Sequence, residues 1–148
     1  MINNLDIIRN VYNTFPTEES YMQYLHKIKL EKNISCVYCY SGRITFTGLK
    51  FHCNLCNSNF SLGTNTIMHK TKLDYRIWLI CLYIFMFTEY ISYRELAKLI
   101  NINKNTAYNI LKKLNNLFLK NKQQVLNQID FQKTDIENLT RILINSTL

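Results

Sequence analysis

Apolar and polar positions follow a helical period over most of the chain and a period of two in one short stretch. Residues 5–15 and 17–30 read as two helical pieces separated at Pro16, because proline lacks the amide donor that a helix interior needs. Thr17 is placed to N-cap the second piece, Glu18 and Glu19 lie in its first turn, and Tyr21, Tyr24, Leu25 and Ile28 share one face. Alternating Ile44 and Phe46, followed by TGLKF, predict a short hairpin. Beyond Leu73 the helical period returns over roughly 73–88, 93–100 and 104–120. The longest apolar run, Ile77 to Phe87, is eleven residues, whereas a membrane-spanning helix needs about 20. It predicts a buried core helix, with Trp78 and Cys81 as core residues, and no membrane partner. From Gln123 the chain is polar with scattered Ile and Leu, a partly helical tail with no assigned role.

Cysteine placement changes this picture. Four of the five cysteines fall in CVYCYSGRITFTGLKFHCNLC as the pairs Cys36/Cys39 and Cys53/Cys56, with 13 residues between the pairs. A full disulfide framework would strand one thiol, whereas a four-thiolate metal site leaves only Cys81 over. Zinc takes four thiolates tetrahedrally, and a two-residue gap lets both cysteines of a tight turn reach one ion. The pattern predicts one structural Zn2+ in a small β ribbon with little core of its own, so that metal binding supplies folding free energy on the order of 10 kcal/mol. A catalytic deaminase-type zinc is not expected, because no His-x-Glu motif accompanies the thiols. His52, next to Cys53, should point away from the metal in extended backbone, and His69 reads as a packing residue. The N-terminal MINNLDIIRN has neither the basic nor the apolar region of an export signal, which predicts a reducing, intracellular setting.

The formal net charge is +8, and residues 92–125 hold most of it, with seven basic residues against one acidic. A basic surface concentrated in one segment points to a polyanionic partner, nucleic acid before membrane. Within this segment Ser92 and Glu95 form a Ser-x-x-Glu capping box that starts a helix at about Tyr93. Asn101 suits the left-handed conformation at the end of that helix, Ile102 can plug the corner, and Asn103 can N-cap the next helix. This is a helix-turn-helix pattern. In the second helix Ala107, Ile110, Leu111, Leu114 and Phe118 fall on one side, and Asn105, Tyr108, Asn109, Lys112 and Asn116 on the other, with Lys104 and Lys113 flanking them. Amides of that kind read adenine edges, a tyrosine ring packs on thymine methyls or backbone, and lysines hold phosphates. The candidate DNA-binding residues are therefore Lys104, Asn105, Tyr108, Asn109, Lys112 and Lys113.

FPTEESYMQYL, CVYC, FHCNLCNSNFSLGTNTIMHKTKLDYRIWLICLYIF and ISYRELAKLININKNTAYNILKKL occur in an order that resembles the N-terminal part of an insertion-sequence transposase family with Merlin-like eukaryotic relatives. The resemblance covers about residues 15 to 118 and rests on the paired cysteines, Phe60-Ser61, Gly63-Thr64, the run His69 to Leu73, Trp78, and Ser92, Leu96, Ala97, Thr106 and Ala107. It implies a zinc ribbon followed by a helix-turn-helix that binds transposon-end DNA ahead of a metal-dependent DDE nuclease domain. The chain has Val37 and Tyr40 where the family's first knuckle usually has Pro and Gly. Asp130 sits roughly where the family's first catalytic Asp would fall, but its neighbours do not match that motif. Two-metal phosphoryl transfer needs several converging carboxylates, and only Asp130, Asp135 and Glu137 follow Lys122.

The sequence thus predicts a mainly α fold with a small β zinc ribbon. Its expected divisions are an N-terminal helical segment 1–31, a four-cysteine zinc ribbon 32–64, a helix-turn-helix DNA-binding domain 65–122 and the polar tail 123–148. The expected function is that of a zinc-containing, transposase-derived or truncated transposase protein that binds double-stranded DNA without catalysis, in the nucleus or in the bacterial cytoplasm and nucleoid, with no small-molecule substrate; no pattern specifies an oligomeric state. Two alternatives stand beside it. One is the front portion of an active DDE transposase completed by a separate reading frame; the other is a zinc-stapled protein-interaction or transcription accessory module.

Overall fold

Six helices and three strands form among the described residues of the computed structural model, which covers 3–88, 90–127 and 134–146, the stretch 120–127 as backbone only. Local chemistry sets most of the helix starts. In α1 (Asn4–Thr14) Asn3 Oδ1 accepts the Leu5 amide at 2.9 Å, and in α2 (Glu18–Leu30) Thr17 and Ser20 cap each other reciprocally. The two helices meet at Phe15-Pro16, where Phe15 is buried against Tyr21 and Tyr24. Tyr21, Leu25 and Ile28 are the buried face of α2, as their spacing predicts.

The run Ile77 to Phe87 lies in α3 (Tyr75–Phe87), where every residue from Trp78 to Ile84 is buried. A helix buried all round must be covered on every side, and α1, α2, α5 and α6 all pack against this one. Each fully buried large apolar side chain contributes roughly 1.5–3 kcal/mol, so α3 is the axis of the core.

Three short strands, β1 (Ile44–Thr47), β2 (Lys50–Cys53) and β3 (Asn59–Phe60), make an antiparallel sheet in the order β1-β2-β3. Thr47 pairs with Lys50 across a two-residue loop, and Gly48 takes φ +59 at its first position, where a II′ hairpin turn calls for glycine. Phe51 and Phe60 pair across the sheet with stacked rings 5.2 Å apart, and both are buried. Over them lie His26, stacked on Phe51 at 5.3 Å, and the Lys29 ammonium, 5.4 Å from the same ring. The sheet therefore has more core than its length suggests, because α2 supplies cover for it.

Helix α4 (Tyr93–Ile100) begins with Ser92 Oγ accepting the Glu95 amide at 3.2 Å and ends at Asn101, which is left-handed (φ 56, ψ 53). The Ile102 amide returns to the Ala97 carbonyl at 3.0 Å, the reversed bond of a Schellman-type end. Asn103 Oδ1 then accepts the Asn105 amide at 2.7 Å, opening α5 (Lys104–Asn127), longer than the segment predicted from periodicity.

The C-terminal stretch has a structural role that its polar composition concealed. Helix α6 (Asp135–Asn145) is capped by Thr134 and buries Leu139, Ile142 and Leu143. It packs on α3 and α2, and Tyr21 Oη lies 3.0 Å from Thr140 Oγ1 in the buried seam. Arg141 bridges Glu31 at 2.6 Å and Glu137 at 2.8 Å, which ties α6 to the end of α2.

Candidate functional site

The two Cys-x-x-Cys turns are built alike. In the first, the Cys36 amide donates to Ser41 O at 2.8 Å, Tyr40 N–H returns to Cys36 O at 3.0 Å, and Cys39 N–H points at Cys36 Sγ at 3.5 Å. In the second, Cys53 N–H donates to Ser58 O at 2.9 Å, Asn57 N–H to Cys53 O at 2.9 Å, and Cys56 N–H to Cys53 Sγ at 3.5 Å. Tyr40 and Asn57 occupy matching positions with φ 61 in both. Asparagine accepts that conformation readily, whereas for an aromatic residue it is strained. Tyr40 adopts the backbone that a glycine would and is 80 % exposed.

This symmetry brings all four sulfurs within 4.8 Å of one another. Cys36 Sγ is 3.7 Å from Cys56 Sγ and Cys39 Sγ is 3.6 Å from Cys53 Sγ, far beyond the roughly 2.05 Å of a disulfide. A tetrahedral ion with metal–sulfur bonds of about 2.3 Å sets sulfur–sulfur separations of about 3.8 Å, so the donor set fits such an ion in size and in chemistry. The thiols differ in their electrostatics. Hydrogen bonding to the Ser58 hydroxyl and then to the Ser58 amide pulls the Cys56 thiol down to about 6, and the Cys56 amide lowers Cys53. At Cys39 the pull of the Ser41 amide is outweighed by desolvation and the neighbouring sulfurs, which push it up to about 12. The sulfurs thus differ in how readily they give up a proton, and holding all four as thiolates at this spacing would take a cation among them.

His52 does not join the cluster: its Nδ1 is 2.8 Å from Asn59 Oδ1, the residue it pairs with across β2 and β3. His69 Nδ1 accepts the Asn65 amide at 3.1 Å, holding a loop and leaving the ring half-exposed. Cys81 is buried in α3 and its thiol is raised to about 12 by that burial. Trp78 is buried too, with its indole N–H donating to Thr71 Oγ1 at 2.9 Å.

On α5 the structure separates the six candidate polar positions. Lys104, Asn105, Tyr108, Asn109 and Lys112 are exposed along one face, opposite buried Ala107, Ile110, Leu114 and Leu117. Tyr108 is steadied by an edge-on contact with Tyr93 of α4, ring centroids 5.6 Å apart. Lys113 faces elsewhere: its ammonium donates to Ile67 O at 3.3 Å and lies 5.6 Å from the Trp78 ring. Sequence periodicity places it at the edge of the polar face, and the carbonyl that captures it comes from a loop 46 residues away.

Asp130 lies outside the described residues, whereas Asp135 is exposed and Glu137 half-buried in the first turn of α6. Among the described residues no helix is long and apolar enough to cross a membrane. Comparison with protein-family models, with curated proteins and with solved structures returns no match.

Proposed function

We propose that this is a zinc-containing DNA-binding protein of the kind found at the front of insertion-sequence transposases, with duplex DNA, and transposon ends in particular, as its partner. Cys36, Cys39, Cys53 and Cys56 hold one Zn2+ with every coordination position taken by sulfur, which makes the ion structural. Helices α4 and α5 act as a helix-turn-helix, and α5 enters the major groove. There Asn105, Tyr108 and Asn109 approach base edges while Lys104 and Lys112 hold phosphates. Binding rather than catalysis is the role assigned to these residues.

The observation that carries this reading is the exposed face of α5, five polar positions presented by a helix whose opposite face is locked in the core. It rests on a turn that sets the angle between α4 and α5 through left-handed Asn101 and the Asn103 cap. The test is elemental analysis of protein purified without chelator, combined with titration of a fluorescent duplex at two salt concentrations. One zinc per chain with tighter binding at lower salt is the expected result. Zinc without retention on DNA would favour a protein-interaction module, and absence of metal would contradict the site itself.

A further inference from the structure

The reading of α5 as a groove-binding helix leaves unused a basic turn on its flank. Residues His69-Lys70-Thr71-Lys72 begin within two overlapping turns, with the His69 amide donating to Thr66 O and the Thr71 amide to Met68 O, both at 3.0 Å. Lys70 is held in the left-handed region at φ 55. The segment is pinned to the core at Thr71, whose Oγ1 accepts from both the Trp78 indole and the Leu73 amide, and at Ile67, whose carbonyl receives Lys113 of α5. It is also tied to the first cysteine turn, since Asn65, which donates its amide to His69, sends its side-chain amide to Val37 O at 3.3 Å. Lys70 and Lys72 are exposed, and among the described residues neither forms an ion pair.

Position makes these charges informative. Tyr108 and Lys113 are five residues apart and project about 140° from each other around the helix axis, with Asn105, Asn109, Lys112 and Asn116 between them. Tyr108 touches α4, and Lys113 touches the 67–71 loop. The polar face of α5 is thus bordered by α4 on one side and by the basic turn on the other. An α-helix about 10–12 Å across nearly fills a major groove about 12 Å wide, so elements on its two flanks meet the two phosphodiester backbones.

We infer that the turn carrying Lys70 and Lys72 is a second phosphate-binding element that grips the DNA strand on the side of α5 opposite α4, extending the contact beyond the two helices. This rests on the proposed α5–DNA contact. Because phosphate contacts carry no base information, the turn adds affinity and fixes orientation without changing the preferred sequence.

The test measures duplex affinity of the full, metal-loaded chain against salt. Each lost phosphate contact reduces the log–log salt slope by about 0.9, so Lys70→Ala with Lys72→Ala should flatten it by roughly 1.8 with sequence preference intact. Lys70→Asn with Lys72→Gln should do the same, with an asparagine suited to the left-handed position and zinc content as the control for folding. Arg9→Ala with Lys27→Ala removes equal charge from exposed positions on α1 and α2, whose buried faces pack on α3, α6 and the small sheet rather than on α5, and should leave the slope unchanged. A wild-type slope in both turn variants, alongside a reduced slope in Lys112→Ala, would overturn this inference alone. An equal reduction in the α1/α2 control would overturn it too, by assigning the effect to net charge. No duplex binding by the wild-type chain would overturn it together with the reading on which it rests.

Discussion

Tyr40 and Asn57 hold the same left-handed backbone in equivalent cysteine turns, with φ 61 at each. The strain of that conformation is on the order of 1–2 kcal/mol for an ordinary side chain, so Tyr40→Gly should stabilise the metal-loaded protein by about 1 kcal/mol after the entropy of the unfolded glycine is counted. Asn57→Gly should change little. Denaturant unfolding of the two variants compares the positions directly, and a destabilised Tyr40→Gly would show that the tyrosine ring makes a contribution its exposure conceals. Cysteine reactivity separates a second set of residues. With metal bound, the four clustered thiols should resist a thiol reagent; after chelation all four, Cys36, Cys39, Cys53 and Cys56, should react. Cys81, buried in α3 with its thiol pushed up to about 12, should react only once the chain is unfolded. Early labelling of Cys81 would mean that α3 opens locally.

At the scale of elements, α6 behaves as part of the core. Leu139→Ala or Ile142→Ala should each cost about 2–5 kcal/mol, measured by denaturant unfolding, whereas a merely appended tail would show no change. Burial of the Tyr21 phenol gives the seam between α2 and α6 a pH dependence. Burial raises the Tyr21 phenol above its ordinary value, so its contribution is fully present below the unfolded value of about 10 and declines as pH rises beyond it. Tyr21→Phe should therefore lose stability less steeply above a pH of about 10, and an identical alkaline limb in both proteins would show that the seam is open to water.

Much of this organisation was legible in the sequence because its signals are local. Thr17, Ser92, Asn101 and Asn103 bond to amides or take backbone shapes within a few residues of themselves, and a Cys-x-x-Cys turn is a local geometry that needs only one repeat to form a cluster. The capture of Lys113 by Ile67 O, the cover of Phe51 by α2 and the docking of α6 depend on contacts between residues far apart in the chain, which hydrophobic period alone does not specify. The amphipathic period of Ile136 to Leu143 was present, but polar neighbours diluted it.

At the scale of the whole molecule, four helices are arranged around one. α3 is covered by α1, α2, α5 and α6, so the helical framework does not depend on the sulfur cluster for most of its burial. Chelation should accordingly lower the thermal midpoint and release the ribbon while most helical circular dichroism persists at room temperature; loss of all helicity would mean that metal and core fold as one unit. The exposed face of α5 and the basic turn beside it form the proposed DNA-contacting surface. Amide and side-chain NMR shifts of the metal-loaded chain on titration with duplex DNA would locate that surface. The largest changes are expected at Asn105, Tyr108, Asn109 and Lys112, with α1 and α6 silent; changes gathered on α1 or α6 while α5 stays unmoved would rule out α5 as the DNA-contacting helix.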